Sequence, residues 1–585
     1  MFDNFAEWWI NNVHFGSLEP YLGNIGAGVA TGAILGVGIA IIAAGLHKGY
    51  KWWTSASSSE PATILFDYLP DENTIGEVLW FGRNLMSTYA HLLPILFLST
   101  VVICLWCVSS IKPLNASVAR FSLALTYLFL LGFYCVSPTF LMSYSLFGTI
   151  IATNRYVYFA SLAILGFAFL LVWLRGMTLT NLLYASGIVI FSLALVGSVD
   201  IIMFYICFEA LSLLTYGIIA TNKTVGSAEG ALKYFIYGII SSILLIFGLS
   251  LYYITYQTVD LYEIYMAEGV SFMSLSNINF ALLAILLVIL AFAYKMSMFP
   301  FHFSLPDVYE GVQWQTIAII NLGVKLSLAL VLFKIWGFII TQVELVKISS
   351  SFLLVLAIFS LVIGCLGALI QTSVKRLFAY TSINQAGFIV LGLLVNDAVG
   401  LQASLVYLIT YMLTMFVFFV GMILAGQDID GILELKHLPI VSKVLVAMSL
   451  FSMAGIPPFF GFISKYWIWL SLVHGIEKNT SGFYHTMLII SFGVSIVISL
   501  ISAYYYLRLI KVYLFDNSIN LINFKLSESL SIDTLLSVFS LIFLMGGWFI
   551  IAEEIANVFW FWARDNYGSW VDYLYAGYYR EWLRL

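Results

Sequence analysis

Four ionisable side chains stand inside long apolar runs: Glu209 in IIMFYICFEALSLLTYGIIA, Lys295 in LAFAYKMSMFPFHF, Lys325 in IAIINLGVKLSLALVLF and Lys465 in IPPFFGFISKYWIWLSL. On insertion scales a charge at the centre of a membrane helix costs roughly 2.5–3.5 kcal/mol, so together they oppose insertion by about 10–14 kcal/mol unless they face a wet or paired interior. The chemistry such a set can do is proton transfer. Desolvation favours a neutral lysine and a nearby carboxylate favours a charged one, so moving Glu209 relative to Lys295 would switch whether the lysine holds its proton. No nucleophile–histidine pair and no phosphate loop points to other chemistry. Snorkelling along the helix accounts instead for Lys334, near a helix end, and for Lys233, one turn into its helix with Glu229 at i−4.

Two of these lysines lie beside prolines. Lys295 is five residues before Pro300, and Lys465 follows Pro457 and Pro458 by eight and seven residues. Proline breaks a helix and frees a carbonyl, which a membrane protein tolerates only where the gap lines a cavity or is buried in protein. The flanking patterns match, Met296-x-x-Phe299-Pro300-Phe301 against Met453-x-x-Ile456-Pro457-Pro458-Phe459, with 457 − 300 = 157 residues between them. Paired broken helices in corresponding halves point to an inverted-repeat transporter with its site near the midplane. His302, in PFHFSLPDVYEG, stands at the inner end of the first break. It is either a relay towards Lys295 or a satisfied interfacial histidine.

The elements that position these groups are membrane helices. Of 585 residues 62% are hydrophobic and only 9% are charged, against roughly 25% charged in an average soluble protein, which excludes a soluble globular fold. Hydropathy places spans near 25–46, 92–110, 121–140, 156–174, 179–197, 200–220, 233–255, 278–299, 314–338, 351–371, 377–396, 401–425, 444–470, 486–507 and 533–552. Setting the first aside, fourteen remain. In their alternate loops one side collects Lys112, Arg120, Arg175, Lys223, Lys375, Arg376, Lys436, Lys443, Arg508, Lys511 and Lys525, and the other Arg155, Lys347 and Lys478. Eleven against three puts the first set on the matrix or cytoplasmic side. Lys48 and Lys51 fall on the wrong side of this scheme.

The resulting organisation is an extension over 1–91, with one candidate helix and a polar segment, a membrane domain over 92–552, and an aromatic tail over 553–585. Gly28, Gly32 and Gly36 form a small-residue stripe suited to close helix docking, and Gly26-x-Gly28 lacks the strand and βαβ context of a dinucleotide loop. Before His47 the chain has no Lys or Arg, the reverse of a transit or signal peptide. A net charge of −5 without a basic run excludes nucleic acid as a partner. Cys104, Cys107, Cys135, Cys207 and Cys365 all lie in apolar stretches, and Cys104-x-x-Cys107 lacks the further donors of a zinc or iron–sulfur site. No metal and no cofactor are expected.

At these residues the chain resembles the chain 2 (bacterial subunit N) family of the antiporter-like membrane-arm subunits of NADH:ubiquinone oxidoreductase, respiratory complex I. The resemblance covers roughly 90–550 and rests on FEALSLLTYGIIA, SAEGALKYFIYGIISS, YKMSMFPFHFSLPDVYEG, VKRLFAYTSINQAGF and AGIPPFFGFISKYW, in that order. It implies an all-α polytopic fold of fourteen core helices with two inverted five-helix repeats, about 179–338 and 351–507, and with the seventh and twelfth helices broken. The activity implied is proton translocation driven by quinone reduction in other subunits, in a translocase whose redox centres lie outside this chain. Glu209, Lys233, Lys295, Lys325 and Lys465 match the family's proton-carrying positions on helices five, six, seven, eight and twelve. A lysine at the last position favours chain 2 over its sister chain 4, which has a glutamate there. The partners implied are the other membrane-arm subunits, including the sister antiporter-like chains, with lipids and protons. The location implied is the mitochondrial inner membrane, with the bacterial cytoplasmic membrane as the alternative.

Two rival readings share the same residues. A cation/proton antiporter subunit would use the same lysine set, and sodium-dependent transport would favour it. A structural scaffold with inactive lysines would tolerate neutral substitutions at Lys295 and Lys465.

Overall fold

The computed structural model describes residues 94–109, 115–136, 144–146, 151–153, 155–222, 224–261, 275–340, 343–424, 431–457, 459–478 and 482–514. The expected helix 25–46, the polar segment from Tyr50 to Arg83, Lys112, Pro458, the span 533–552 and the aromatic tail lie outside these residues.

The described residues are almost entirely helical. In chain order α1 is Pro94–Ser109, α2 Ala116–Val136, α3 Arg155–Val172, α4 Leu179–Gly197, α5 Ile201–Ala220, α6 Val225–Tyr256, α7 Leu275–Lys295 and α8 Ser304–Gly311. Then follow α9 Trp314–Ile319, a π-helical segment Ile320–Lys325, α10 Leu326–Ile340, α11 Val343–Ile370, α12 Val374–Leu393 and α13 Ala398–Leu424. A 3₁₀ turn Ile432–His437 leads to α14 Ile440–Ala454, α15 Phe460–Lys478 and α16 Phe483–Leu514. One short antiparallel hairpin, β1 Tyr144–Leu146 with β2 Ile151–Thr153, joins α2 to α3. Among the described residues eight helices are long and apolar enough to cross a membrane.

Apart from the short α8, each described helix falls on an expected span, and the differences have local causes. The helix expected to start at 233 starts at Val225, because Thr224 and Ser227 form a reciprocal capping box. The span expected as 278–299 ends at Lys295. Proline clashes with the carbonyl of residue i−4, which for Pro300 is Met296. Helical hydrogen bonding stops just there, with Ser297 at φ 60°. The span expected as 444–470 is two helices. Its break opens at Gly455, φ 80°, whose N–H donates to Phe451 O and Ser452 O while Ile456 N–H donates to Phe451 O. This is a glycine C-cap, so the stop precedes Pro457 and comes from Gly455.

α7 packs along α6, α8 packs on α6 and α12, and α15 packs on α13. Every residue from Thr316 to Lys334 is buried, so the lysines this stretch carries face protein. Exposed apolar residues such as Ile236, Ile243 and Phe247 mark α6 as peripheral.

Candidate functional site

Lys295, Lys325 and Lys465 are all buried, at 2%, 6% and 3% exposure, and each ammonium meets neutral oxygens. Lys295 ends α7, where the unpaired carbonyls of a helix C-terminus favour a cation. Its Nζ donates to Ser212 Oγ at 2.5 Å and Tyr216 Oη at 3.2 Å. The rings of Phe208, Tyr216 and Tyr294 surround it, with centroids 5.4, 5.3 and 5.8 Å away, a cage that attracts a cation through the ring faces.

Glu209 shares α5 with these partners. Positions 209, 212 and 216 recur at helical spacing, so the carboxyl lies one turn from the hydroxyl that holds Lys295. One of its oxygens, Oε1, is buried without a hydrogen-bond partner in the protein. Among the described ion pairs none joins Glu209 to Lys295. In the adjoining break, Ser297 Oγ and His302 Nδ1 are likewise buried and unpartnered. His302 is 6% exposed and stacked against Phe299 and Phe303, within the break itself.

Lys325 closes the π-helical segment. Its Nζ donates to Ser382 Oγ of α12 at 2.9 Å and lies 5.7 Å from the Tyr309 ring of α8. One turn along α12, Gln385 accepts a hydrogen bond from the Tyr407 hydroxyl and donates to Tyr506 Oη at 3.4 Å. Gln385, Tyr407, Thr410, Tyr411, Thr414, Ser464 and Lys465 line one small pocket. Tyr411 Oη is buried there without a protein partner. Ser382 and Gln385 are thus polar residues one turn apart on α12, the first on Lys325 and the second at the pocket that Lys465 lines.

Lys465 sits on the far side of its break. From the first turns of α15 its Nζ reaches back to the last carbonyls of α14, Met453 O at 3.0 Å and Ala454 O at 3.2 Å. The side chain folds over Gly455 instead of extending along its own helix.

Two further lysines are placed differently. Lys334 does not snorkel: it is 5% exposed and donates to Val196 O at 2.8 Å and Ser198 O at 2.6 Å, capping the C-terminus of α4. Lys233, with a side chain 39% exposed, pairs with Glu229 and Asp307, both at 2.7 Å. It belongs to a peripheral ionic cluster and not to the buried set. Pro300, in a cis peptide with Phe299, and Pro457 both lie in the breaks. The sequence reading missed Ser212, Tyr216, Ser382, Gln385 and Tyr407. Only the helical spacing of Glu209, Ser212 and Tyr216 offered a signal.

Residues 198–499, which hold all of these groups, match the family model described as "NADH:quinone oxidoreductase/Mrp antiporter, TM". The chain belongs to this family. Curated members similar to it include NADH-quinone oxidoreductase subunit N of Laribacter hongkongensis, 32% identical over 397 residues covering 66% of this chain and 76% of that protein. Another is subunit N of Rickettsia conorii, 31% identical over 368 residues covering 61% and 75%. Among solved structures the family fold recurs in a chain of respiratory complex I from Thermus thermophilus with bound aureothin. That chain gives a TM-score of 0.63 at 22% identity, over 77% of this chain and 96% of that one. It recurs also in the Mrp complex of Dietzia sp. DQ12-45-1b, with a TM-score of 0.65 at 16% identity over 83% and 98%.

Proposed function

We propose that this family member is a proton-translocating, antiporter-like subunit of the membrane arm of respiratory complex I, moving protons through Glu209, Lys295, Lys325 and Lys465 while NADH and quinone chemistry proceeds in other subunits. One observation carries the reading: Lys295, Lys325 and Lys465 are buried at the two helix breaks and the π-helical segment, each held by hydroxyls or backbone carbonyls, and no described ion pair fixes their charge. A lysine locked in a buried ion pair would surrender its proton only at the cost of stranding a carboxylate. Lysines held by neutral oxygens escape that penalty and can release and regain a proton.

Water completes the path. Buried polar atoms without a protein partner normally take an ordered water, and such atoms stand beside both breaks, at Glu209, Ser297 and His302 on one side and Tyr411 on the other. His302 passes protons between the inner face and Lys295. Lys233 acts at the periphery. The chain works without a cofactor of its own, beside the sister antiporter-like subunits, in the mitochondrial inner membrane or in the bacterial cytoplasmic membrane that houses its bacterial relatives.

The test is Lys295→Ala in the assembled complex, with proton uptake and NADH:quinone turnover measured together. Both should fall. Full pumping by the neutral variant would overturn the reading in favour of a scaffold, and sodium-dependent transport by the intact assembly would favour the antiporter reading.

A further inference from the structure

At one end of the bundle a single guanidinium ties together two elements that carry different parts of the Lys325 site. Arg376, in the first turn of α12, donates from Nη2 to Asp307 Oδ1 at 3.1 Å and lies 3.2 Å through Nη1 from Glu310 Oε2. Both carboxylates belong to α8, three residues apart and so on one face. α8 is fixed on its other side to α6. Lys233 holds the second oxygen of Asp307 at 2.7 Å, and a Cβ at Gly311 would fall 2.5 Å from Gly226 O, so the two backbones meet directly. Thus α8 is fastened to α6, and among the described residues Arg376 links it ionically to α12.

These two linked helices also flank Lys325, through the Tyr309 ring on α8 and the Ser382 hydroxyl on α12. We propose that the Asp307–Arg376–Glu310 fork is a positioning device for Lys325, setting the spacing of α8 and α12 and hence of the two side chains between which the ammonium sits. The inference rests on the proton-path reading above. Part-exposed ion pairs contribute little to stability, and the fork is not a stability device. Its value is geometric, because a planar guanidinium gripping two carboxylates on one short helix fixes orientation as well as distance. Arg376 touches no proton carrier and is not a catalytic residue.

The experiment uses the full complex in its own membrane, with assembly checked by co-migration of the chain with NADH-oxidising activity on native gels. In R376Q, Asp307 keeps Lys233 as its partner, so the variant retains a compensated carboxylate and assembles. Quinone-linked turnover and proton uptake should fall by up to about a hundredfold, the scale on which a misplacement of about 1 Å acts. R376K, which keeps one ion pair, should recover part of the loss. The double variant S382A/R376Q should be no worse than the more impaired of its two single variants, because both lesions spoil the same Lys325 contact. Unaltered turnover in R376Q, no recovery in R376K, or losses that multiply in the double variant would each overturn the proposal. K325A separates the two levels: if it pumps normally, the proton-path reading itself fails, whereas a dead K325A beside a fully active R376Q sinks only the positioning role.

Discussion

Lys465 and Met453 are twelve residues apart in sequence yet joined by a hydrogen bond of 3.0 Å across the break between α14 and α15. The ammonium neutralises the carbonyl end of one half-helix from its seat on the other. Loss of its charge therefore removes both the proton carrier proposed above and the group that satisfies two orphan carbonyls. Lys465→Met, which keeps the length and discards the charge, should cut coupled proton uptake by roughly a hundredfold, the lower end of what a positioned acid–base group contributes. Measured against assembled complex, unchanged uptake would remove Lys465 from the path.

Ser212 and Tyr216 hold Lys295 from α5. A hydrogen bond to a charged group is worth about 1.5–3 kcal/mol, so Ser212→Ala and Tyr216→Phe should each lower NADH:quinone turnover by about tenfold or more. Lys295→Arg should not restore full activity, since a guanidinium keeps its proton and is too broad for the cage of Phe208, Tyr216 and Tyr294. Full activity in the arginine variant would mean that position 295 supplies only a fixed charge.

Much of this arrangement was legible in the sequence because burial of charge in hydrocarbon is so costly that Glu209, Lys295, Lys325 and Lys465 stand out against their apolar neighbours. What holds them was not legible. Ser212 and Ser382 are ordinary residues of membrane helices, and their role depends on which helix lies opposite, a tertiary fact that periodicity does not carry. The prolines pointed to the breaks but misplaced their first residues, since Pro300 acts on the carbonyl four residues earlier and Gly455 ends α14 ahead of Pro457. Lys334 was misleading because a lysine near a helix end is equally free to reach solvent, a carboxylate or another helix's carbonyls.

The two ends of α12 carry different ionic clusters, Arg376 with Asp307 and Glu310 at its start and Asp397 with Lys478 just past its end. A 20-residue helix spans about 30 Å, the thickness of the hydrocarbon core, so the clusters face opposite sides of the membrane. With cysteine introduced at Glu434, in the loop shared with Lys436, and at Lys478, an impermeant thiol reagent should label the first from the matrix or cytoplasmic side and the second from the other. Lys375 itself is a poor reporter, being 5% exposed with its ammonium 6.0 Å from the Trp314 ring. Labelling of both cysteines from one side would overturn the helix count.

Lys334 supplies the contrast that tests whether burial alone makes a lysine a carrier. It is as deeply buried as Lys325, but its ammonium is committed to Val196 O and Ser198 O at the end of α4, within 2.8 Å of both. Nothing in its hydrogen bonding leads onward to Lys295 or Lys325. Removing it leaves buried carbonyls without a donor, at about 1–3 kcal/mol. Lys334→Met should accordingly lower the amount of assembled complex or its thermal midpoint, while proton uptake per NADH oxidised stays at the wild-type ratio. Lys295→Ala should do the reverse, assembling and failing to pump. If Lys334→Met instead assembled normally and uncoupled, the ammonium at the end of α4 would have to be added to the proton path.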